Sequence, residues 1–80
     1  MSRWRKPLTC KEVKRILKNL QFEYRNTEGS HENWIKDVGS RRWKVTVDCP
    51  KQPFSAFLIK SMASQAGVTV RQFYQALDKQ

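Results

Sequence analysis

The chain has 80 residues, of which 39% are hydrophobic and 11% aromatic, so it suits one domain with one modest core. Lys and Arg number 16 against 7 Asp and Glu, which gives a formal net charge of +9 and a pI near 10.1. This charge favours a polyanionic partner, nucleic acid ahead of an anionic membrane, because no segment combines a wide apolar face with a wholly basic one. No run of about 18 apolar residues is present, and the N-terminus lacks a signal-peptide pattern, so we expect no membrane contact.

The two cysteines, Cys10 and Cys49, limit redox and metal chemistry. They can form at most one disulfide, and they have no metal-ligand spacing with His31, the single histidine. We expect both to be free thiols in a reducing cytoplasm. We also expect no zinc or other metal and no cofactor.

Residues 1–7 predict a frayed basic arm ahead of a single domain over residues 8–80. Trp4 in this arm can stack on a base while the neighbouring arginines meet phosphates. An ordinary disordered terminus is the commoner case for such a segment.

A first helix is predicted from Thr9 and Glu12, which form a T-x-x-E capping box. Leu8 and Val13 occupy the positions of a hydrophobic staple around it. One side of this helix carries apolar residues at helical spacing, namely Val13, Ile16, Leu17 and Leu20. The other side is basic and nearly lacks acidic partners, which favours a phosphate-facing surface: Lys11, Lys14, Arg15 and Lys18.

Alternation of apolar and polar residues predicts three strands, over 22–25, 31–37 and 42–48, with turns at 26–30 and 38–40. The third strand places Trp43, Val45 and Val47 on one face and Arg42 and Lys44 on the other. In the second strand Trp34 and Ile35 point to opposite faces, so the local pattern leaves the buried face open. The spacing suits an antiparallel meander covered on one side by helices.

A proline-containing loop then leads to a second helix over about residues 55–66, which Gly67 can end in the left-handed conformation. Thr69 and Gln72 form a second capping box and begin a short third helix. The order α-β-β-β-α-α predicts an α+β fold in which helices pack on one face of a three-stranded antiparallel sheet.

The stretch with the clearest chemical potential is Gly29-Ser30-His31, in a predicted turn. An imidazole titrates close to neutral pH, and a glycine turn can present backbone N–H groups as an anion-binding nest. In a basic chain this combination suggests chemistry on a phosphate. By itself, however, a lone histidine at a hairpin turn is more often an ordinary surface residue. The candidate RNA contacts are Lys11, Lys14, Arg25, Lys36, Arg42 and Lys44.

With these residues in order, residues 9–77 resemble the HicA (YcfA-like) toxins of bacterial toxin–antitoxin systems. The resemblance rests on a first helix ending Leu17-x-x-Leu20, an aromatic strand followed by Gly29-Ser30-His31, and the C-terminal stretch Ile59-x-x-Met62-Ala63-x-Gln65-Ala66-Gly67-Val68. It implies a fold similar to the double-stranded-RNA-binding domain, mRNA cleavage, and inhibition by a HicB-type antitoxin. The family's catalytic histidine matches His31.

The chain departs from the family pattern at two places. Gln21 stands where the family commonly has glycine; if that position needs positive φ, glutamine costs roughly 1–2 kcal/mol, which would favour a different end to the first helix. Asp48-Cys49-Pro50 replaces a second histidine that many relatives carry, and this excludes a two-histidine mechanism.

Three functions are compatible with the sequence. The first is a metal-independent ribonuclease toxin, in which His31 is the general base for a ribose 2′-OH or the general acid for the leaving 5′-oxygen, and whose antitoxin covers His31. The second is a non-catalytic double-stranded-RNA-binding module that uses His31 only as a contact. The third is a protein-interaction domain with an acidic partner. For the free chain we expect a monomer.

Overall fold

A computed structural model describes residues 6–78, so the prediction for Trp4 concerns a residue outside the described range. The elements are α1 (Cys10–Asn19), β1 (Glu23–Glu28), β2 (His31–Val38), β3 (Arg41–Asp48), a 3₁₀ turn (Cys49–Lys51), α2 (Ala56–Ala66) and α3 (Val70–Leu77). This confirms the predicted α-β-β-β-α-α order and the α+β class. Within residues 6–78, no helix has the length and apolar character needed to cross a bilayer.

The sheet is an antiparallel meander in the order β1-β2-β3. β1 continues through Glu28 instead of ending at Arg25, because residues 26–28 pair with residues 31–33 of β2. The predicted five-residue turn therefore contracts to Gly29 and Ser30. Every residue of β1 is exposed, so its sequence need not alternate between apolar and polar residues. The prediction of this strand relied on such alternation and therefore ended the strand too early.

One face of the sheet is buried against the helices. Trp34 is 3% exposed and lies in the core with Val45 and Val47, whereas Ile35 on the opposite face is only partly buried. The structure thus shows that the Trp34 face of β2 is the buried one, a choice that the sequence pattern left open. Both residues of the predicted staple, Leu8 and Val13, are fully buried, and each such side chain contributes about 1.5–3 kcal/mol of transfer free energy.

Both predicted capping boxes are confirmed. In the first, the Glu12 backbone N–H donates to Thr9 Oγ1 at 3.2 Å and the Thr9 backbone N–H donates to Glu12 Oε1 at 3.0 Å. That hydrogen bond from the Thr9 backbone is the main reason that the pKa of Glu12 lies below its ordinary value, and Lys6, 3.0 Å away, adds to it. Lys6 belongs to the predicted arm, and its carbonyl also accepts a hydrogen bond from the Tyr74 hydroxyl.

Helix α1 ends in a Schellman motif in spite of Gln21. The Gln21 backbone has φ +74°, its N–H donates to Lys18 O at 3.0 Å, and the Phe22 N–H donates to Leu17 O at 2.8 Å. The expectation that glutamine would change the helix end is therefore wrong. Leu17 and Phe22, which occupy the two positions whose side chains commonly pack together in this motif, are both buried in the core.

The prediction of two free thiols is also wrong. Cys10, the first residue of α1, and Cys49, which follows β3, are joined in a disulfide with their Cα atoms 5.2 Å apart, within the range that disulfides need. The Cys10 backbone N–H donates to Gln52 Oε1 at 2.8 Å, which holds the same two segments together. The sequence distance between the two cysteines concealed a proximity that only the tertiary fold creates.

Gln21→Gly is expected to stabilise the protein by about 1 kcal/mol, because glycine adopts the left-handed conformation without the Cβ penalty that glutamine bears. Urea unfolding of both proteins measures the difference. Lys18→Gly is the matched control, since it places glycine at a right-handed position of α1 and should destabilise by about 0.5–1 kcal/mol. A loss of stability in Gln21→Gly would contradict the proposed cost at this position.

Glu12→Gln is expected to make folding stability less sensitive to acid. The folded-state pKa of Glu12 is lowered, so the charged carboxylate stabilises the protein above its unfolded-state pKa, and this contribution disappears as the pH falls through the folded-state pKa. Unfolding midpoints measured from neutral pH to about pH 3 should therefore converge for wild type and Glu12→Gln. A stability difference that stays constant over this window would show that the charge has no part in the cap.

Candidate active site

The candidate site lies where β2 begins and β3 ends. His31 is the first residue of β2 and pairs in register with Asp48, the last residue of β3. Successive side chains of a strand point to opposite faces, and Glu32, next to His31, lies on the helix side, where Lys14 of α1 contacts it. His31 and Asp48 therefore point to the other, open face of the sheet, where α2 borders them only at the β3 edge.

Asp48 gathers three polar groups around its carboxylate. His31 Nε2 lies 3.3 Å from Oδ2, the Ser30 hydroxyl donates to Oδ1 at 2.8 Å, and Lys51 Nζ lies 3.9 Å from Oδ2. The Asp48 side chain is 21% exposed, whereas the His31 side chain is 55% exposed. The Asp48 carboxylate is thus partly buried, whereas the His31 imidazole is accessible to solvent.

The proximity of Asp48 to Nε2 favours one of the two neutral forms of the His31 ring. In the neutral imidazole one nitrogen carries hydrogen and the other accepts, and a carboxylate beside Nε2 favours the hydrogen there. Nδ1 then holds the lone pair. A histidine oriented in this way by an aspartate is suited to remove a proton from a hydroxyl group.

The turn before His31 depends on Gly29. Its φ is +62°, and it is the first central residue of a two-residue hairpin turn, as in type II′ turns. A Cβ added there would meet nothing within 4 Å, so the backbone conformation, not lack of space, requires glycine. The Ser30 hydroxyl is engaged with Asp48. The anion-binding role of the Gly29 and Ser30 N–H groups stays a prediction.

The sequence reasoning missed Asp48 and Lys51 as parts of this site. Asp48 was treated only as the replacement of a histidine, although a signal was present: His31 lies seven residues before Val38 and Asp48 lies seven residues after Arg41, which close the β2–β3 turn. Counting away from that turn brings the two together. Lys51 lies in the 3₁₀ turn, where no local pattern indicates which way its side chain points.

Two of the six candidate RNA contacts share the open face with His31. Arg42 and Lys44 lie an even number of positions before Asp48 in β3, so their side chains point to the same face as Asp48. Arg42 is engaged by Asp37, with Nε 2.7 Å from Oδ1 and Nη2 3.2 Å from Oδ2. This ion pair lowers the pKa of Asp37 and raises that of Arg42.

The other four candidates fall into two groups. Lys14 of α1 forms an ion pair with Glu32 at 2.8 Å, and Lys11 lies with it along a basic groove of about 610 Å³ beside α1, on the helix side of the sheet. Arg25 and Lys36 line a depression of about 290 Å³, and Lys36 Nζ is 5.8 Å from the centre of the Phe22 ring. The six basic residues therefore do not form one patch around His31.

One group of three potential metal ligands occurs among residues 6–78, namely Cys10, Glu32 and Cys49. Their ligand atoms lie within 4.8 Å of one another. Both sulfur atoms belong to the disulfide, and the Glu32 carboxylate forms an ion pair with Lys14. The group lies on the helix side of the sheet, away from His31.

Comparison with protein families gives a match over residues 10–68 to the family described as HicA toxin of bacterial toxin-antitoxin. The chain belongs to the HicA toxin family. The match to HicA includes α1, the whole sheet and α2, and so contains both His31 and Asp48. A HicA toxin has a cognate antitoxin as its partner. Searches of curated proteins and of solved structures gave no match.

In this HicA-family chain, His31→Ala is expected to change the unfolding free energy by no more than about 0.5 kcal/mol, because the side chain is 55% exposed and its removal leaves no buried group unpaired. Asp48→Ala should cost about 1 kcal/mol, since it removes the acceptor of the Ser30 hydroxyl. Urea unfolding of the purified variants measures both. A large destabilisation of His31→Ala would mean that the imidazole supports the fold.

Proposed function

We propose that this protein is the toxin of a type II toxin–antitoxin system, a metal-independent endoribonuclease that cleaves mRNA with His31 as its catalytic histidine. The observation that carries the proposal is the pairing of His31 with Asp48 on the open face of the sheet. The net charge of +9 supports a polyanionic substrate. Membership of the HicA family supports the toxin role.

The reaction begins when Nδ1 of His31 accepts the proton of a ribose 2′-OH. The 2′-oxygen attacks the adjacent phosphorus and the bond from phosphorus to the 5′-oxygen breaks. The leaving oxygen takes a proton from water, and His31 later returns its own proton to solvent. The products are a 2′,3′-cyclic phosphate and a 5′-hydroxyl end. Because the nucleophile belongs to the substrate, no metal-activated water is needed.

The other residues of the site assist this step. Asp48 orients the imidazole and stabilises the imidazolium that forms, since its carboxylate lies 3.3 Å from Nε2. Lys51 and the backbone N–H groups of Gly29 and Ser30 offer positive charge and hydrogen-bond donors to the phosphate oxygens as negative charge develops. A site of this kind discriminates RNA from DNA because only RNA supplies the 2′-OH.

The basic residues divide into near and distant contacts. Lys44 shares the face of His31 and is the candidate for a neighbouring phosphate. Lys11, Lys14, Arg25, Lys36 and Arg42 attract the RNA over a longer range and steer its approach.

We propose that the antitoxin is of the HicB type and covers the His31 region. The exposed imidazole and the neighbouring Lys51 and Lys44 present a positive surface, so acidic residues of the antitoxin complement it. The toxin acts in the bacterial cytoplasm, where mRNA is present, and is a monomer when it is free.

One observation favours a second candidate, a non-catalytic double-stranded-RNA-binding module. The basic groove beside α1 offers several lysines and arginines for phosphates of a duplex, and it lies on the opposite side of the sheet from His31: Lys6, Lys11, Lys14, Arg15 and Lys18. In that case His31 is only a contact residue, and replacing it weakens RNA binding slightly without removing any cleavage activity.

Replacing His31 by alanine is expected to abolish growth arrest and mRNA loss when the chain is induced in bacteria that lack the antitoxin. With purified protein, RNA cleavage in EDTA should fall at least about 100-fold for His31→Ala, the lower range of general acid–base contributions, and by a similar factor for Asp48→Asn. An RNA with a single 2′-deoxy nucleotide should resist cleavage at that position only.

Asp37→Asn provides the matched control, because this carboxylate lies on the same strand as His31 but contacts Arg42 instead. It should retain cleavage. Wild-type activity that requires added divalent metal would overturn the mechanism, and equal behaviour of wild type and a folded His31→Ala would leave the RNA-binding module.

A further inference from the structure

A groove of about 210 Å³ leads from His31 and Asp48 along the near side of α2. Phe54, Leu58 and Met62 supply its apolar wall. Its volume lies below the range of about 300–1,000 Å³ found for sites that hold drug-sized molecules, so it suits one small group. The polar end of the groove is the His31–Asp48 pair itself.

The most exposed large hydrophobic side chain among residues 6–78 lies in the first turn of α2, the helix that lines one side of this groove. Phe57 is 77% exposed, compared with 52% for Tyr24 and 53% for Val38. It precedes Leu58 in the chain and lies one helical turn before Ser61, and both of these residues line the groove. An unpartnered aromatic ring of this kind offers a π-face for stacking.

Gln65 adds a hydrogen-bond donor to the same groove. Its Oε1 accepts the Thr46 backbone N–H at 3.2 Å, at the edge of β3. Because the oxygen is held in this way, the amide NH₂ of Gln65 is the end that can donate to a ligand. The groove therefore combines an apolar wall with one oriented polar group, and Phe57 adds an exposed ring next to Leu58 on α2.

We propose that this groove and Phe57 form the seat of one unpaired RNA base, next to the phosphate held at His31. The inference rests on the proposed function and specifies how its substrate is bound. Single-stranded RNA is recognised by stacking of splayed bases on aromatic side chains, with hydrogen bonds to the base edges. Lys51, 3.9 Å from Asp48, lines the same groove and supplies the charge that a neighbouring phosphate requires.

The seat gives the ribose a defined position. A base stacked on Phe57 and enclosed by Leu58 anchors its nucleotide beside the imidazole, so the 2′-OH reaches His31 without a separate binding site for the sugar. Double-stranded RNA cannot use this seat, because its bases remain stacked within the helix. The substrate class is therefore single-stranded or locally open RNA.

The test measures binding, not cleavage. The probe is a short single-stranded RNA with 2′-O-methyl riboses throughout, which no 2′-OH attack can cut, together with an abasic version of the same length and charge. Phe57→Leu removes the π-face and keeps an apolar side chain, whereas Phe57→Trp keeps the stacking surface. Val38→Ala is the matched control, an exposed apolar residue at the far end of β2.

Phe57→Leu should weaken binding of the base-bearing RNA by about 5- to 150-fold, the range found for loss of one stacked base, and should leave binding of the abasic RNA unchanged. Phe57→Trp and Val38→Ala should bind both RNAs like wild type. Unchanged affinity of Phe57→Leu, or an equal loss for both RNAs, overturns the base seat. So does a variant that binds RNA normally and loses only the antitoxin, which would assign the groove to that partner.

The two proposals fail separately. If His31→Ala cleaves RNA as well as wild type but Phe57→Leu shows the base-dependent loss, the catalytic role of His31 is wrong and the base seat stands. If His31→Ala is inactive but Phe57→Leu binds both RNAs like wild type, the nuclease stands and the base seat is wrong.

Discussion

The burial of one face of the sheet is the constraint on which the rest of the structure depends. Trp34, Val45 and Val47 are almost completely removed from water against the helices. A shift of pairing by one residue would expose this set and bury the polar residues of the other face, so the register of the sheet is strongly specified. The position of His31 opposite Asp48 follows from that register and not from any strong attraction between the two side chains.

The elements and their order were predictable because their signals are local. Both capping boxes are confirmed, and so is Gly67 as the left-handed residue after α2, with φ +76°. The Trp43 ring would lie 2.7 Å from a Cβ at position 67, a packing demand that the sequence pattern does not reveal. β1 was placed too short because a strand without a buried face carries no alternation of apolar and polar residues.

The site was only partly predictable, for a related reason. His31 stood out as the single histidine in a glycine turn, which is information contained in three consecutive residues. Asp48 and Lys51 reach it through strand pairing and the turn that follows, and the pairing of Cys10 with Cys49 likewise depends on how α1 packs near the end of β3. Contacts between residues that are distant in sequence can be predicted only once the strand register and the packing of the helices are known.

Positive charge is distributed over both sides of the molecule, although ion pairs neutralise part of it on each side. Lys14 meets Glu32 on the helix side and Arg42 meets Asp37 on the open side. At an ionic strength of about 0.1 M, charges separated by more than about 10 Å are largely screened from one another. Under the proposed function, the lysines beside α1 therefore influence how often a polyanion approaches, whereas Lys51, 3.9 Å from Asp48, acts on a phosphate already at His31.

The number of residues in each strand of the β2–β3 hairpin determines which residues meet at the site. Seven residues of each strand separate the Gly39–Ser40 turn from the His31–Asp48 pair, a distance of about 23 Å along the strands. One residue inserted in that turn would either displace Asp48 from His31 or force a bulge, because a simple slip also turns Val45 and Val47 out of the core. A remote change in chain length would thus dismantle the site without altering any residue in it.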